Sequence, residues 1–271
     1  MKKLGIFFLY LTLSGSLSAW LTEPTQEAQE MVAPYLMMDD HPAKAILDEI
    51  FSTRVSTNLR TLRKAGFQDI KLRRRGMVFA RHPSVPGYVF KMYCDYTGHS
   101  YSEFEKTFRK QDEHIEFVGR LQKRNQIAEI IECQQFEEFI LPKKWIYAIP
   151  TETNPKKTHT MVKKFYLILA EDLDILDGNT CFRMWDENVD REFVYHFFIV
   201  YKEARLQDFG PPNQSFTKSG HLAFIDTKAW PDETFKVVRT PFFLRGELRE
   251  YWKQLILNDF ELSKQLNSYY N

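Results

Sequence analysis

The chain has 271 residues, is 44% hydrophobic and 27% charged, and carries a formal net charge of +1. That is enough chain for one large or one two-lobed globular domain, and the near-neutral balance argues against bulk electrostatic binding of nucleic acid or of an acidic membrane. Aromatic residues make up 15%, which reads first as bulky core packing and second as a partner surface.

The N-terminal run MKKLGIFFLYLTLSGSLSAW has two lysines, an apolar stretch from Leu4 to Leu13, and then small residues. This is the pattern of a secretory signal peptide over residues 1–19, cleaved after Ser18 or after Ala19; a buried N-terminal helix is the alternative. The pattern predicts a secreted or exported protein. No other segment is apolar enough to span a membrane, so no stable span is expected after signal removal.

A polar linker from Leu21 to Gln29 leads into helical pattern, and residues 20–65 read as an N-terminal helical extension. HPAKAILDEIF (41–51) and TNLRTLRKA (57–65) carry apolar residues at helical spacing, with Asn58 as cap and Gly66 as stop. From Gly66 the period changes. MVFARHP (77–83) and GYVFKMY (87–93) are short, β-rich and aromatic, separated by SVPG, and read as a hairpin. Residues 101–133 are charged and helical in pattern. KKWIYAIP (143–150) reads as a strand, and KKFYLILAEDLDIL (163–176) as an apolar strand that turns acidic. Residues 186–204 form a second helical pattern, an irregular stretch begins at Asp208, His221–Ile225 is strand-like, and 247–257 is helical again. The order predicts an α+β chain with two unequal parts, 66–170 and 171–271, and a seam at Glu171 to Asp177.

Cys94, Cys133 and Cys181 lack C-x-x-C spacing, which argues against a zinc or redox site; one disulfide plus a thiol and three thiols are both compatible with the sequence. The phosphate loop G-x-x-x-x-G-K-[ST], the G-x-G-x-x-G turn, the H-E-x-x-H zinc helix and the G-x-S-x-G elbow are all missing.

The chemistry is concentrated in LQDFGPPNQSFTKSGHLAFIDTKAW (206–230). It contains a literal D-F-G at Asp208, but that aspartate follows a polar helix end. Asp208 and Asn213 obey D-x-x-x-x-N, and Asp226 ends the apolar run GHLAFID. Phosphoryl transfer needs hard oxygen ligands for Mg²⁺ and a carboxylate that orients the acceptor hydroxyl and takes its proton. The stretch resembles the catalytic core of the protein-kinase-like fold, in the atypical branches whose metal-binding strand ends I-D rather than D-F-G. The resemblance covers roughly residues 66 to 230.

The resemblance implies a bilobal architecture: a small β-rich N-lobe with one long helix, and a reduced helical C-lobe. It implies ATP and Mg²⁺ as cofactors, with Asp208 catalytic and Asn213 and Asp226 as metal ligands. Lys91, on the strand before the long helix, would grip the phosphates. Glu129, preferred over Glu113 and Glu116, would pair with that lysine. The hinge facing adenine would be Ala170 to Leu173, including Glu171 and Leu173. Arg73-Arg74-Arg75 before Gly76 reads as an exposed basic turn or as phosphate donors in place of a glycine-rich loop. Leu206-Gln207 replaces His-Arg before Asp208, Thr227-Lys228 replaces Phe-Gly after Asp226, and no A-P-E segment follows. The function implied is an exported kinase-like protein that transfers phosphate from Mg-ATP to a hydroxyl on a protein or small molecule. The alternative is a catalytically inactive kinase-like module that binds a nucleotide or a partner.

Overall fold

The computed structural model describes residues 23–73, 76–95, 113–150, 153, 163–206, 210, 213–227, 241 and 243–264. The signal-peptide pattern of residues 1–19, Arg74, Arg75 and Asp208 lie outside the described residues. The architecture is α+β, and the chain divides into two compact units. One comprises the described residues up to Val118 with Lys144–Asp172; the other comprises Gly119–Lys143 with the described residues from Leu173 onward.

The first unit is built on a five-stranded antiparallel sheet of β1 (Gln68–Leu72), β2 (Met77–Arg81), β3 (Tyr88–Tyr93), β6 (Tyr166–Glu171) and β5 (Lys144–Ala148), in that order. The strand pairs β2–β3 and β5–β6 match the alternation of the two apolar hairpin runs and the later apolar strands. The turn into β3 is closed by Gly87, at φ +80°, a conformation that costs glycine little and side-chain-bearing residues more. A first strand before Gly76 was implied by the resemblance alone, and β1 stands there. Its residues are mostly exposed and show no alternation, so nothing in their pattern marks a strand.

The sheet is buried on one face by Phe90 and Met92 of β3, Val78 and Ala80 of β2, and Leu167 and Leu169 of β6. Against these pack Leu47 of α2 (Lys44–Ile50), Phe51, Val55 and Leu62 of α3 (Leu59–Lys64). The helical extension therefore shares a core with the sheet. Asn58 caps α3 as expected. Its Oδ1 accepts from the Arg60 and Thr61 amides, and Thr61 Oγ1 accepts from the Asn58 amide, closing a capping box. The expected linker contains a short helix, α1 (Gln26–Val32), started by the Thr25 side chain.

The long helix α4 spans Glu113–Gln134 and contributes Glu113–Val118 to the first unit and Gly119–Gln134 to the second. The second unit holds α5 (Gly178–Glu187), α6 (Arg191–Glu203), α7 (Gly246–Asn258) and a small sheet in the order β4 (Phe139–Ile140), β8 (Leu222–Phe224), β7 (Gln214–Phe216). Asp177 caps α5 and Asp190 caps α6, so the helical pattern of 186–204 is in fact the end of one helix and the whole of the next. The core here is aromatic: Trp185, Phe197, Phe216, Phe224, Phe243 and Trp252 meet with ring centroids mostly 4.3–6.4 Å apart. Among the described residues no helix is long and apolar enough to cross a membrane.

Candidate functional site

Each unit holds one group of candidate residues. In the second, the hairpin of β7 and β8 pairs Gln214 with Phe224 and Phe216 with Leu222. Asn213 precedes β7 and Asp226 follows β8, so both stand at the open end of the hairpin. The Asn213 carbonyl accepts from the amides of Ile225 (2.8 Å) and Asp226 (3.4 Å). Upstream, the Asn213 amide donates to the Gly210 carbonyl at 2.8 Å, and the Gly210 amide donates to Gln214 Oε1 at 3.0 Å. The proposed metal ligands Asn213 and Asp226 are thus brought side by side by backbone pairing. Magnesium in phosphoryl-transfer sites is held by few protein oxygens plus substrate phosphates, and an amide beside a carboxylate fits that role. Among the described residues no group of three or more His, Cys, Asp or Glu side chains gathers as a metal site.

The Asp226 carboxylate already has a cation. Arg120 of α4 donates from Nη1 to Asp226 Oδ1, with side chains 7% and 26% exposed respectively. The Arg120 carbonyl also accepts from Thr227 Oγ1 at 2.7 Å, and Thr227 is fully buried. One turn further along α4, Lys123 Nζ donates to the Ala204 carbonyl at 2.6 Å and to Gln126 Oε1 at 2.8 Å, while Gln126 Nε2 donates to the Glu203 carbonyl at 3.2 Å. Burial lowers the pKa of the Lys123 ammonium, and the charge of Arg205 adds to the shift. One face of α4 therefore holds both ends of the segment that carries Asp208, Asn213 and Asp226. Arg205, which follows α6, sits at φ +48°, an uncommon conformation for a residue with a side chain.

In the first unit, Lys91 lies on an interior strand, opposite Phe79 of β2 and Ile168 of β6. It is 3% exposed, and its Nζ lies 5.1 Å from the Phe79 ring centroid. A solvated edge lysine is therefore ruled out. Burying an ammonium costs several kcal/mol unless it is compensated. Tyr93, two residues on, shares the face of Lys91. Its hydroxyl donates to Glu116 at 2.6 Å and its ring stacks on Phe117 at 6.0 Å.

Around this face runs a buried ionic cluster. Arg54 donates to both oxygens of Asp95 (2.9 and 2.7 Å) and to the Lys164 carbonyl at 2.5 Å. Lys164 pairs with Glu113 at 3.3 Å, and Glu113 also accepts from the Phe165 amide at 2.6 Å. Burial, with the nearby Glu113 carboxylate second, pushes the Tyr166 phenol up to about 12.

Glu129 stands exposed in the later half of α4. The glutamates that α4 contributes beside Tyr93 and Lys164 are Glu116 and Glu113, the two alternatives to it. Glu171 ends β6 opposite Tyr88, and Leu173 is the first residue of the second unit. Between them Asp172 is gripped by Arg81 Nε at 2.5 Å and Nη2 at 3.0 Å, and its amide donates to the Gly87 carbonyl at 2.8 Å. Arg120 was not singled out in the sequence. Helical spacing sets Arg120 and Lys123 on one face of a charged helix, but nothing local marks a partner 106 residues away. Compared with known proteins, the chain matches no protein-family model and no curated protein sequence.

Proposed function

We propose that this chain is an exported kinase-like phosphotransferase that uses Mg-ATP and a hydroxyl acceptor on a protein or small molecule. The observation that carries the reading is the pairing of Asn213 with Asp226 at the open end of the β7–β8 hairpin. It makes neighbours of Asn213, from the D-x-x-x-x-N spacing, and Asp226, from the I-D ending. Lys91 supports the reading as a buried cation on the third strand of a sheet followed by a long helix.

In this reading Asn213 and Asp226 would supply hard oxygens to hold Mg²⁺, whose chemistry when bound would be charge neutralisation at the phosphoryl group. Lys91 supplies a positive charge for the phosphates. Asp208 would orient the acceptor hydroxyl and take its proton as the new P–O bond forms and the bond from the γ-phosphorus to the β–γ bridging oxygen breaks, with ADP leaving. Glu129 is the helix carboxylate expected to steady the lysine, and Glu116, which accepts from the Tyr93 hydroxyl, is an alternative.

A second reading, nucleotide binding without transfer, is favoured by one feature. Arg120 already neutralises the Asp226 carboxylate. Thermal-shift binding of Mg-ATP and transfer of labelled phosphate to lysate proteins separate the two readings. Asp226→Ala weakens magnesium-dependent binding in both. Asp208→Ala lowers transfer by about 10²–10⁴ with affinity little changed only if the chain is an enzyme. Wild-type chain that binds no nucleotide contradicts both.

A further inference from the structure

We propose that Arg120 is a built-in counter-cation that competes with a divalent metal for Asp226, so that metal binding releases the guanidinium. The inference rests on the metal-ligand role given to Asp226 above. Three observations lead to it.

First, the pair is lopsided. The Arg120 side chain is 7% exposed and the Asp226 side chain 26%, so solvent reaches the carboxylate more than the cation. Second, the pair is fixed in place. Thr227 donates to the Arg120 carbonyl, and Lys123 and Gln126 bind the carbonyls of Ala204 and Glu203. The guanidinium is therefore carried by a backbone already bonded to the residue after Asp226, unlike a surface ion pair between two loose side chains. Third, the Asp226 amide pairs with the Asn213 carbonyl, so the two residues are neighbours at the hairpin's open end. An amide oxygen and a carboxylate are both hard ligands suited to a dication.

A dication and a guanidinium on one carboxylate repel each other, and that repulsion is strongest where water is scarce. Arg120 thus holds Asp226 in position before the metal arrives and lowers the affinity for it. A purely structural Arg120, tying α4 to the hairpin, would make a different prediction. Its removal would lower the melting temperature and leave metal affinity unchanged or weaker.

The test uses the whole chain and Mn²⁺ alone, read by electron paramagnetic resonance without nucleotide. Arg120→Gln is expected to bind Mn²⁺ about tenfold more tightly than wild type, and Arg120→Lys, which keeps the charge, within about threefold of it. Asp226→Asn is expected to lose saturable binding. Thermal unfolding checks that each variant folds. In wild type, titration with Mg²⁺ is expected to shift the side-chain ¹⁵N resonance of Arg120 at saturation, a readout that needs no folded Arg120→Gln.

Equal Mn²⁺ affinity in wild type and Arg120→Gln overturns the inference. So does a resonance that Mg²⁺ leaves in place, or the absence of metal binding throughout. If Arg120→Gln gains Mn²⁺ affinity but no form of the chain binds ATP, the inference stands and the kinase-like reading fails. If wild type binds Mg-ATP and Arg120→Gln gains nothing, the reading stands and the inference fails.

Discussion

Two ion pairs in this molecule look alike in chemistry and differ in surroundings. Arg54 and Asp95 are 6% and 0% exposed at the side chain, and the same carboxylate also accepts from the Lys164 amide. Arg120 and Asp226 are 7% and 26% exposed. In the first pair the carboxylate is sealed and bonded by several donors, as a structural charge must be. In the second the side chain is partly exposed, and the Asp226 amide pairs with the Asn213 carbonyl. A sealed carboxylate serves the fold, whereas one that solvent reaches can change partners. That difference underlies the opposite roles proposed for the two arginines.

The largest expected effect lies in the sealed pair. Asp95→Ala leaves the Arg54 guanidinium buried without its carboxylate and should cost about 3–5 kcal/mol of stability, read as a shift in the denaturant midpoint. A loss below about 1 kcal/mol, the range of exposed pairs, would erase the contrast.

Next comes a pH effect at the rim of the same cluster. Tyr166 is 3% exposed, and its pKa is pushed up to about 12. The unfolded chain ionises the phenol near pH 10, so its contribution is fully present below about pH 10 and is lost as pH rises toward about 12. The loss should be on the order of 2 kcal/mol, measured by denaturation across that window, and Tyr166→Phe should remove it. An ultraviolet titration in which every tyrosine ionises near pH 10 would contradict the assignment.

Smaller still is the cap of α3, which follows directly on the Arg54 loop. Asn58→Ala should cost about 1 kcal/mol, because the Arg60 and Thr61 amides lose their acceptor. At the far end of the scale is the pair Lys218–Asp174, with side chains 65% and 76% exposed. Asp174→Ala should change stability by less than about 0.5 kcal/mol, measured in the same way.

What the sequence disclosed follows from how local each signal is. The Asn58 cap was legible because its partners lie two and three residues away. The strand ending at Asp226 was legible because an apolar run with an acidic end is a local pattern. A short neighbour for that strand was expected, and β7 fills that place, although no local pattern marks it after two prolines. Helix α5 was missed although Cys181, Met184 and Trp185 stand at helical spacing, because its ten residues carry that stripe through only one turn. At the candidate site, the spacing of Asn213 and Asp226 was readable, and their pairing follows from the hairpin. Arg120 was not readable, since its partner lies 106 residues away, and Arg54 is likewise 41 residues from Asp95. Long-range ion pairs leave no periodic trace, so the residues that set the electrostatics emerge only from the fold.

The most direct test is a crystal structure of the chain with Mn²⁺ and a non-hydrolysable ATP analogue, with the metal located by anomalous scattering. The kinase-like reading predicts one metal bound directly by the Asn213 side-chain oxygen and the Asp226 carboxylate, at about 2.0–2.3 Å, with Arg120 moved off Asp226. A metal ligated by Asp208 while Asp226 remains on Arg120 would contradict it.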